Sequence, residues 1–260
     1  MSTVLIDAAR AYIKRGWTPI ALGPDAEGRP KRPQYQKEIA RVPTVREKSV
    51  VLGRDRDVLP QLFALHAPEA KEILDCTYNR GVMWKGSGYC PTITSDTDET
   101  LEVTHVADCR HLWFAEDASL DVIVFDPPHL PAASASVGSS GIERKQYGLT
   151  EEGDYRQGDN IAPLFFDFLK ESSRALRPDG VVFAKIADLV HNHRYQWQHV
   201  DFIRAAEAAG MTPCDVIIKA DPSAANLKSS KWQRVHHFRR AHCYWIVVRN
   251  SLKCEPRTVA

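Results

Sequence analysis

The sequence contains no run of about 18 apolar residues, the length a helix needs to cross a bilayer. Its opening, Met1 to Arg10, lacks both a basic start and a long apolar stretch, so it does not read as a signal peptide. The six cysteines (Cys76, Cys90, Cys109, Cys214, Cys243 and Cys254) form no C-x-x-C pair and no framework spacing, which excludes a disulfide scaffold. Histidines cluster at His191, His193 and His199 and again at His236, His237 and His242. Neither group has the H-E-x-x-H or Cys/His finger spacing, so no metal is expected. There is no internal repeat and no G-x-G-x-x-G fingerprint, and the formal net charge is only +1. These absences predict a cytoplasmic protein with reduced thiols, and any charged partner must be read from local charge.

What is present is α/β texture. With 260 residues the chain has room for one large α/β domain and an extension. We assign 1–50 to a basic accessory arm and 51–260 to the main domain. The arm holds an amphipathic helix over 2–15, a strand over Trp17 to Leu22 and a Gly/Pro-rich loop. Between Arg10 and Lys48 ten Lys/Arg face four Asp/Glu. Beyond it, apolar runs predict strands at Glu72 to Cys76, Thr92 to Ser95, Val103 to Ala107, Val122 to Phe125, Val181 to Ile186, Asp215 to Lys219 and Tyr244 to Val248. Helical spacing appears over Val58 to His66, Ala162 to Leu176 and Gln198 to Ala209. Strands alternating with helices imply a doubly wound, mostly parallel sheet. The last two strands, joined by a polar stretch without helical pattern, imply an antiparallel edge hairpin. Ala132 to Gly141, nearly all Ala, Ser and Gly, reads as a flexible loop.

The strongest chemical signal is Val122-Ile123-Val124-Phe125-Asp126-Pro127-Pro128-His129. A buried strand stops at two prolines that cannot donate to a ladder, which holds Asp126 at the carboxyl edge of the sheet. A carboxylate followed by two N–H-free residues offers acceptors without competing donors, a grip suited to the hydrogens of an amine. Three further acids end the preceding strands: Asp75, Asp96 and Asp108. Between them Thr77 and Gly81 lie in the first strand-to-helix turn, where such folds let a ligand approach the backbone. Each acid alone reads as an ordinary strand-end carboxylate; their succession before Asp-Pro-Pro points to a site.

These residues resemble the S-adenosylmethionine-dependent amino-methyltransferases of nucleic acids, whose motif is Asp/Asn-Pro-Pro-aromatic. Asp126, Pro127, Pro128 and His129 match it, with His129 where the family carries an aromatic. The resemblance implies a seven-stranded class I methyltransferase, Rossmann-like fold and S-adenosyl-L-methionine as cofactor. It implies that Asp75, Thr77 and Gly81 hold the methionine part, Asp96 the ribose and Asp108 the adenine amine. Leu176-Arg177-Pro178-Asp179-Gly180 is similar to the family's turn into the fifth strand, with Asp179 in place of a glycine. The similarity spans Arg54 to Arg249. Separately, Ala9 to Pro33 resembles the opening of bifunctional primase-polymerase domains, without their paired catalytic carboxylates.

From Lys219 to Arg240 six Lys/Arg face one acid, Asp221, with Trp232 and Phe238 among them. Lys231, Arg234, His236, Arg239 and Arg240 therefore form a candidate nucleic-acid contact. Ala132 to Arg156, with Arg144 and Lys145, is a second. The resulting expectation is methylation of an exocyclic amine of a DNA base, adenine N6 before cytosine N4. The alternatives are an RNA amino-methyltransferase acting on guanine N2 or adenine N6, and a non-catalytic nucleic-acid-binding protein.

Overall fold

In the computed structural model the described residues are 48–127, 161–191, 194–221, 237–238 and 240–250. Ten strands form in chain order: β1 (Val50–Leu52), β2 (Ile73–Asp75), β3 (Ile93–Asp96), β4 (His105–Val106), β5 (Leu120–Phe125), β6 (Leu176–Ile186), β7 (Leu189–His191), β8 (Arg194–Gln196), β9 (Thr212–Ala220) and β10 (His242–Arg249). Three helices accompany them: α1 (Asp55–His66), α2 (Ala162–Ala175) and α3 (Gln198–Ala208).

Eight strands share one sheet in the order β1-β9-β10-β6-β5-β2-β3-β4. Every pairing within it is parallel except the two made by β10, which runs against both β6 and β9. This is the doubly wound, mostly parallel α/β sheet with an antiparallel pair that the sequence predicts. Chain order reverses between β2 and β5: from there the sheet grows through β3 and β4 on one side and through β6 on the other. Such a switch point opens a crevice beyond the carboxyl ends of the strands.

Alternation of the buried strands fills both faces. Ile123 and Phe125 point to one side with Val182, Ala184 and Ile186, where α2 and α3 supply Phe165, Phe168, Leu169 and Phe202. Phe125 stacks on Phe168 at 3.8 Å between centroids. Val122 and Val124 point to the other side with Val181, Phe183, Trp245 and Val247, under Val58, Leu59, Leu62 and Phe63 of α1. Burying each such side chain contributes about 1.5–3 kcal/mol, so the two clusters fix the sheet between its helices.

The structure refines the sequence reading in four places. An eighth strand, β1, pairs in parallel outside β9, so the antiparallel pair is covered on its outer side. Three residues at an edge carry too little pattern to be read. Helix α1 begins at Asp55, one turn early, because Asp57 accepts from the Arg54 N–H at 2.8 Å and closes the helix start. Helix α2 ends at Ala175, and Leu176 already pairs with Leu120. The turn before Val181 places Asp179 at φ 64°. Gly180 is tucked so closely that a Cβ would lie 2.9 Å from the Arg177 carbonyl. The fourth is the β7–β8 hairpin, which forms its own two-stranded sheet. Residues 1–47 of the basic arm, with the helix and strand expected there, the Ala132 to Arg156 segment, Pro128, His129, His193, Lys231, Arg234, His236 and Arg239 lie outside the described residues.

Candidate functional site

At its outer edge the switch point is tied by a bond between the chains leaving two strands. The chain leaving β2 places Thr77 beside the chain leaving β5, and the Asp126 N–H donates to Thr77 Oγ1 at 2.8 Å. One layer below, the Cys76 N–H donates to the Val124 carbonyl at 3.1 Å and its thiol does so at 3.2 Å. Burial pushes the Cys76 thiol well up, so it is no nucleophile. Pro127, buried beside Asp126, has no N–H to compete for acceptors. The loops after two different strands thus present their ends as one rigid unit.

Asp126 lies on the α1 side of the sheet, the side of Val124, and meets a lysine there. Lys185 of β6 donates to Asp126 Oδ2 at 2.8 Å and to Asp55 Oδ2 at 3.1 Å. Asp55, in the first turn of α1, also accepts from Lys219 of β9 at 2.8 Å on Oδ1. The four side chains, each 15–21% exposed, form a chain Asp126–Lys185–Asp55–Lys219 beneath the carboxyl edge. Burial alone would lower the Lys185 ammonium; Asp126 and Asp55 more than reverse it and hold it above the usual lysine range. Lys185 is therefore a fixed cation and not a base. Asp55, Lys185 and Lys219 are site residues that motif reading missed. Their signal was present: a lone lysine inside each of two apolar strands demands a buried partner.

The other half of the edge treats its acids differently. Asp75 is fully buried; its Oδ1 accepts from the Thr77 N–H at 3.0 Å and its Oδ2 from Trp84 Nε1 at 2.6 Å. Burial, partly offset by these donors, pushes its carboxyl up to about 7. Trp84 sits in a short 3-10 turn, Val82–Trp84, started by Gly81 at φ 60°. A Cβ on Gly81 would lie 2.5 Å from the Tyr78 hydroxyl, so only glycine fits. Asp96 ends β3 with Oδ2 accepting from the Asn79 N–H at 2.9 Å and Oδ1 from the Asp98 N–H at 3.1 Å. Its carboxyl is raised, chiefly by burial. Asp108, after β4, is held by Arg110 through its backbone N–H at 2.8 Å and its guanidinium at 2.6 Å. Burial would raise Asp108, but Arg110 outweighs it and holds the carboxyl below its usual range.

Asp126, Pro127, Asp75, Thr77 and Gly81 thus gather around the β2–β5 crevice, with Asp96 joined to them through Asn79. Asp108 follows β4, at the far end of this half of the sheet. Arg240 lies apart from both, its guanidinium 5.3 Å from the Tyr195 ring centroid. Among the described residues no group of three or more His, Cys, Asp or Glu could hold a metal ion, and no helix is long and apolar enough to cross a membrane.

No protein-family model matches the chain, and no curated protein matches it. Solved structures do. It is similar to the PvuII cytosine-N4-specific DNA methyltransferase, at 12% identity and TM-score 0.41 over 56% of this chain and 48% of that one. It is similar to TrmN from Thermus thermophilus, at 18% identity and TM-score 0.43 over 74% and 48%. A Burkholderia thailandensis 1,6-didemethyltoxoflavin-N1-methyltransferase matches at 12% identity and TM-score 0.45 over 76% and 78%. The match spans about half the length of the first two. At these values the likeness is one of fold alone.

Proposed function

We propose that this chain transfers a methyl group from S-adenosyl-L-methionine to an exocyclic amine of a DNA base, adenine N6 before cytosine N4. The single observation that carries the proposal is the Asp126–Thr77 bond at the switch point, which joins the acceptor of an amine to the loop where a cofactor would lie. The residues fit the donor in part. Asp96, aimed by two backbone amides, keeps lone pairs for the hydroxyls of a ribose. Asp75 is fully buried, so it acts by fixing Thr77 and Trp84 and not by meeting the ligand. Tyr78 over Gly81 narrows the loop, leaving Thr77 and the backbone of that turn for the methionine part. When bound, the cofactor supplies an electrophilic methyl group.

The chain's own contribution is position and charge. An exocyclic base amine is a weak nucleophile because its lone pair is delocalised into the ring. The Asp126 carboxylate and the Pro127 carbonyl can accept its two hydrogens, which favours a tetrahedral nitrogen and offsets its developing positive charge. Lys185 keeps the Asp126 carboxylate in place while Asp55 and Lys219 balance the lysine's own charge. In duplex DNA the base must leave the stack to reach this edge. The resemblance to structures acting on different substrates supports no one target class, so RNA amines remain the second reading.

The test incubates the protein with methyl-labelled cofactor and either DNA or RNA, then digests the product to nucleosides. Label in N6-methyladenine from DNA is the expected result. Label only in an RNA nucleoside moves the target to RNA. Calorimetry showing no cofactor binding, with nucleic-acid binding retained, would sink the enzyme reading and leave a binding protein.

A further inference from the structure

The carboxyl edge continues beyond Asp126 into a ring cluster that the proposed reaction does not use. After β6 the chain places Asp188 with a fully buried side chain. Its Oδ1 lies 2.7 Å from His199 Nδ1 and accepts from the His199 N–H at 3.2 Å, and the Tyr195 hydroxyl donates to Oδ2 at 3.3 Å. One carboxylate thus anchors both the β7–β8 hairpin and the first turn of α3. His199 stacks on Tyr244 of β10 at 4.1 Å and 17°. Tyr195 meets the Trp197 ring at 4.3 Å and the Arg240 guanidinium at 5.3 Å.

Anchoring the hairpin accounts for Tyr195, His199 and Tyr244. It does not account for Trp197, whose side chain caps nothing at the start of α3 and is 56% exposed. Nor does it account for Phe238, 98% exposed, next to His237. A large ring held in fixed orientation and left open to water is suited to a planar ligand. The charge around it indicates which one. Arg194 is exposed and Arg240 lies on the cluster, while the acid that anchors it, Asp188, is buried beneath.

We propose that the Tyr195–Trp197–Arg240 surface binds unpaired bases of a nucleic-acid strand, with Trp197 as the stacking platform and Arg194 and Arg240 facing phosphates. Rings and cations interleaved in this way grip single strands with little regard to sequence, because every base has a face to stack. The inference rests on the reading of a nucleic-acid target but not on methyl transfer. It assigns to this surface the strand on either side of the reacting base.

Fluorescence anisotropy with a labelled 12-nucleotide single strand of DNA, the same sequence as RNA, and the blunt DNA duplex tests this. The full chain binds at least one single strand about tenfold or more tighter than the duplex, and base stacking quenches tryptophan emission. Trp197→Ala weakens single-strand binding roughly 5- to 100-fold and Trp197→Phe recovers most of it, with calorimetric cofactor binding unchanged in both. Arg240→Gln flattens the dependence of binding on salt, which Trp197→Ala leaves unchanged. Equal affinity of Trp197→Ala and the parent chain overturns the proposal, as does equal binding of duplex and single strands. Binding that follows these rules without methyl transfer defeats the proposed enzyme and leaves this surface standing.

Discussion

Two halves of one sheet edge use the same residue type in opposite ways. On the β2–β3 side, Asp75 and Asp96 are held by backbone and indole N–H groups, and among the described residues no cation pairs with them. On the β5–β9 side, Asp126 and Asp55 are threaded onto two lysines. N–H groups orient a carboxylate while leaving lone pairs on its oxygens, so Asp96 in the first half suits a ligand with hydroxyls. Lysines cancel charge and fix place, so the second half presents an acceptor whose position costs no reorganisation when an amine arrives.

The largest expected effect breaks the second half. Asp126→Ala removes the proposed acceptor for the amine hydrogens, and methyl transfer falls roughly 10²- to 10³-fold, the scale of losing one preorganised group. Cofactor affinity, which the proposal assigns to the other half, changes less than about threefold by calorimetry, a small difference beside a tenfold step of 1.4 kcal/mol. Loss of cofactor binding in this variant would show that the halves are not separable.

The next effect belongs to the first half and to pH. The folded chain holds a proton on Asp75 up to about 7, whereas the unfolded chain releases it near 3.8. Stability carried by this group is therefore complete below about pH 4, falls as pH rises towards 7, and is flat above. The full span is on the order of 4 kcal/mol. Asp108, Asp121 and Glu171, held below their usual range, act oppositely and lose stability as pH falls through lower values. Urea unfolding of the parent chain and Asp75→Asn at several pH values isolates the difference. A constant difference between pH 4 and 8 would assign Asp75 an ordinary carboxyl.

Lys185→Met comes third. Breaking a buried pair costs about 3–5 kcal/mol where the remaining charge has no other partner. Here Asp55 keeps Lys219, so about 2–3 kcal/mol is expected from urea unfolding, scaled down from that range. Lys185→Arg, which retains the cation, should lose less than half as much. Equal loss in both variants would mean that packing and not charge holds the chain of ion pairs.

How much of this edge was legible follows from residue chemistry. The strand Leu120–Phe125 and its end at Asp126 could be read because an apolar run meeting proline has few other solutions. Asp75 and Asp108 could be located for the same reason, as the first polar residues after apolar runs, and Asp96 as the acid that closes its short strand. Their partners could not. Asp75 meets Trp84 only because Gly81 turns at positive φ, and nothing in the spacing announces a 3-10 turn where a helix is usual. Asp55 was hidden because the helix start carries Arg54, a residue that gives no capping signal. Lys185 and Lys219 were visible as misfits in their strands, but their partner came from a helix 130 residues away in sequence from the first of them.

The smallest effect joins the two halves. Thr77→Val keeps shape but removes the acceptor for the Asp126 N–H, leaving a half-buried donor without that partner. An unsatisfied group of this kind costs about 1–3 kcal/mol, and water reaching the crevice edge places this one near the lower end. Thr77→Ser retains the hydroxyl and should match the parent to within about 0.5 kcal/mol, the ordinary scatter of mild substitutions. Amide hydrogen exchange reads the bond directly: the Asp126 amide exchanges faster in Thr77→Val, while Val124 and Cys76, one layer down, are unchanged. If the bond also couples the halves, methyl transfer falls in Thr77→Val further than cofactor affinity does. A loss confined to cofactor affinity would make Thr77 a residue of the first half alone, and the two halves would then meet only through the sheet beneath them.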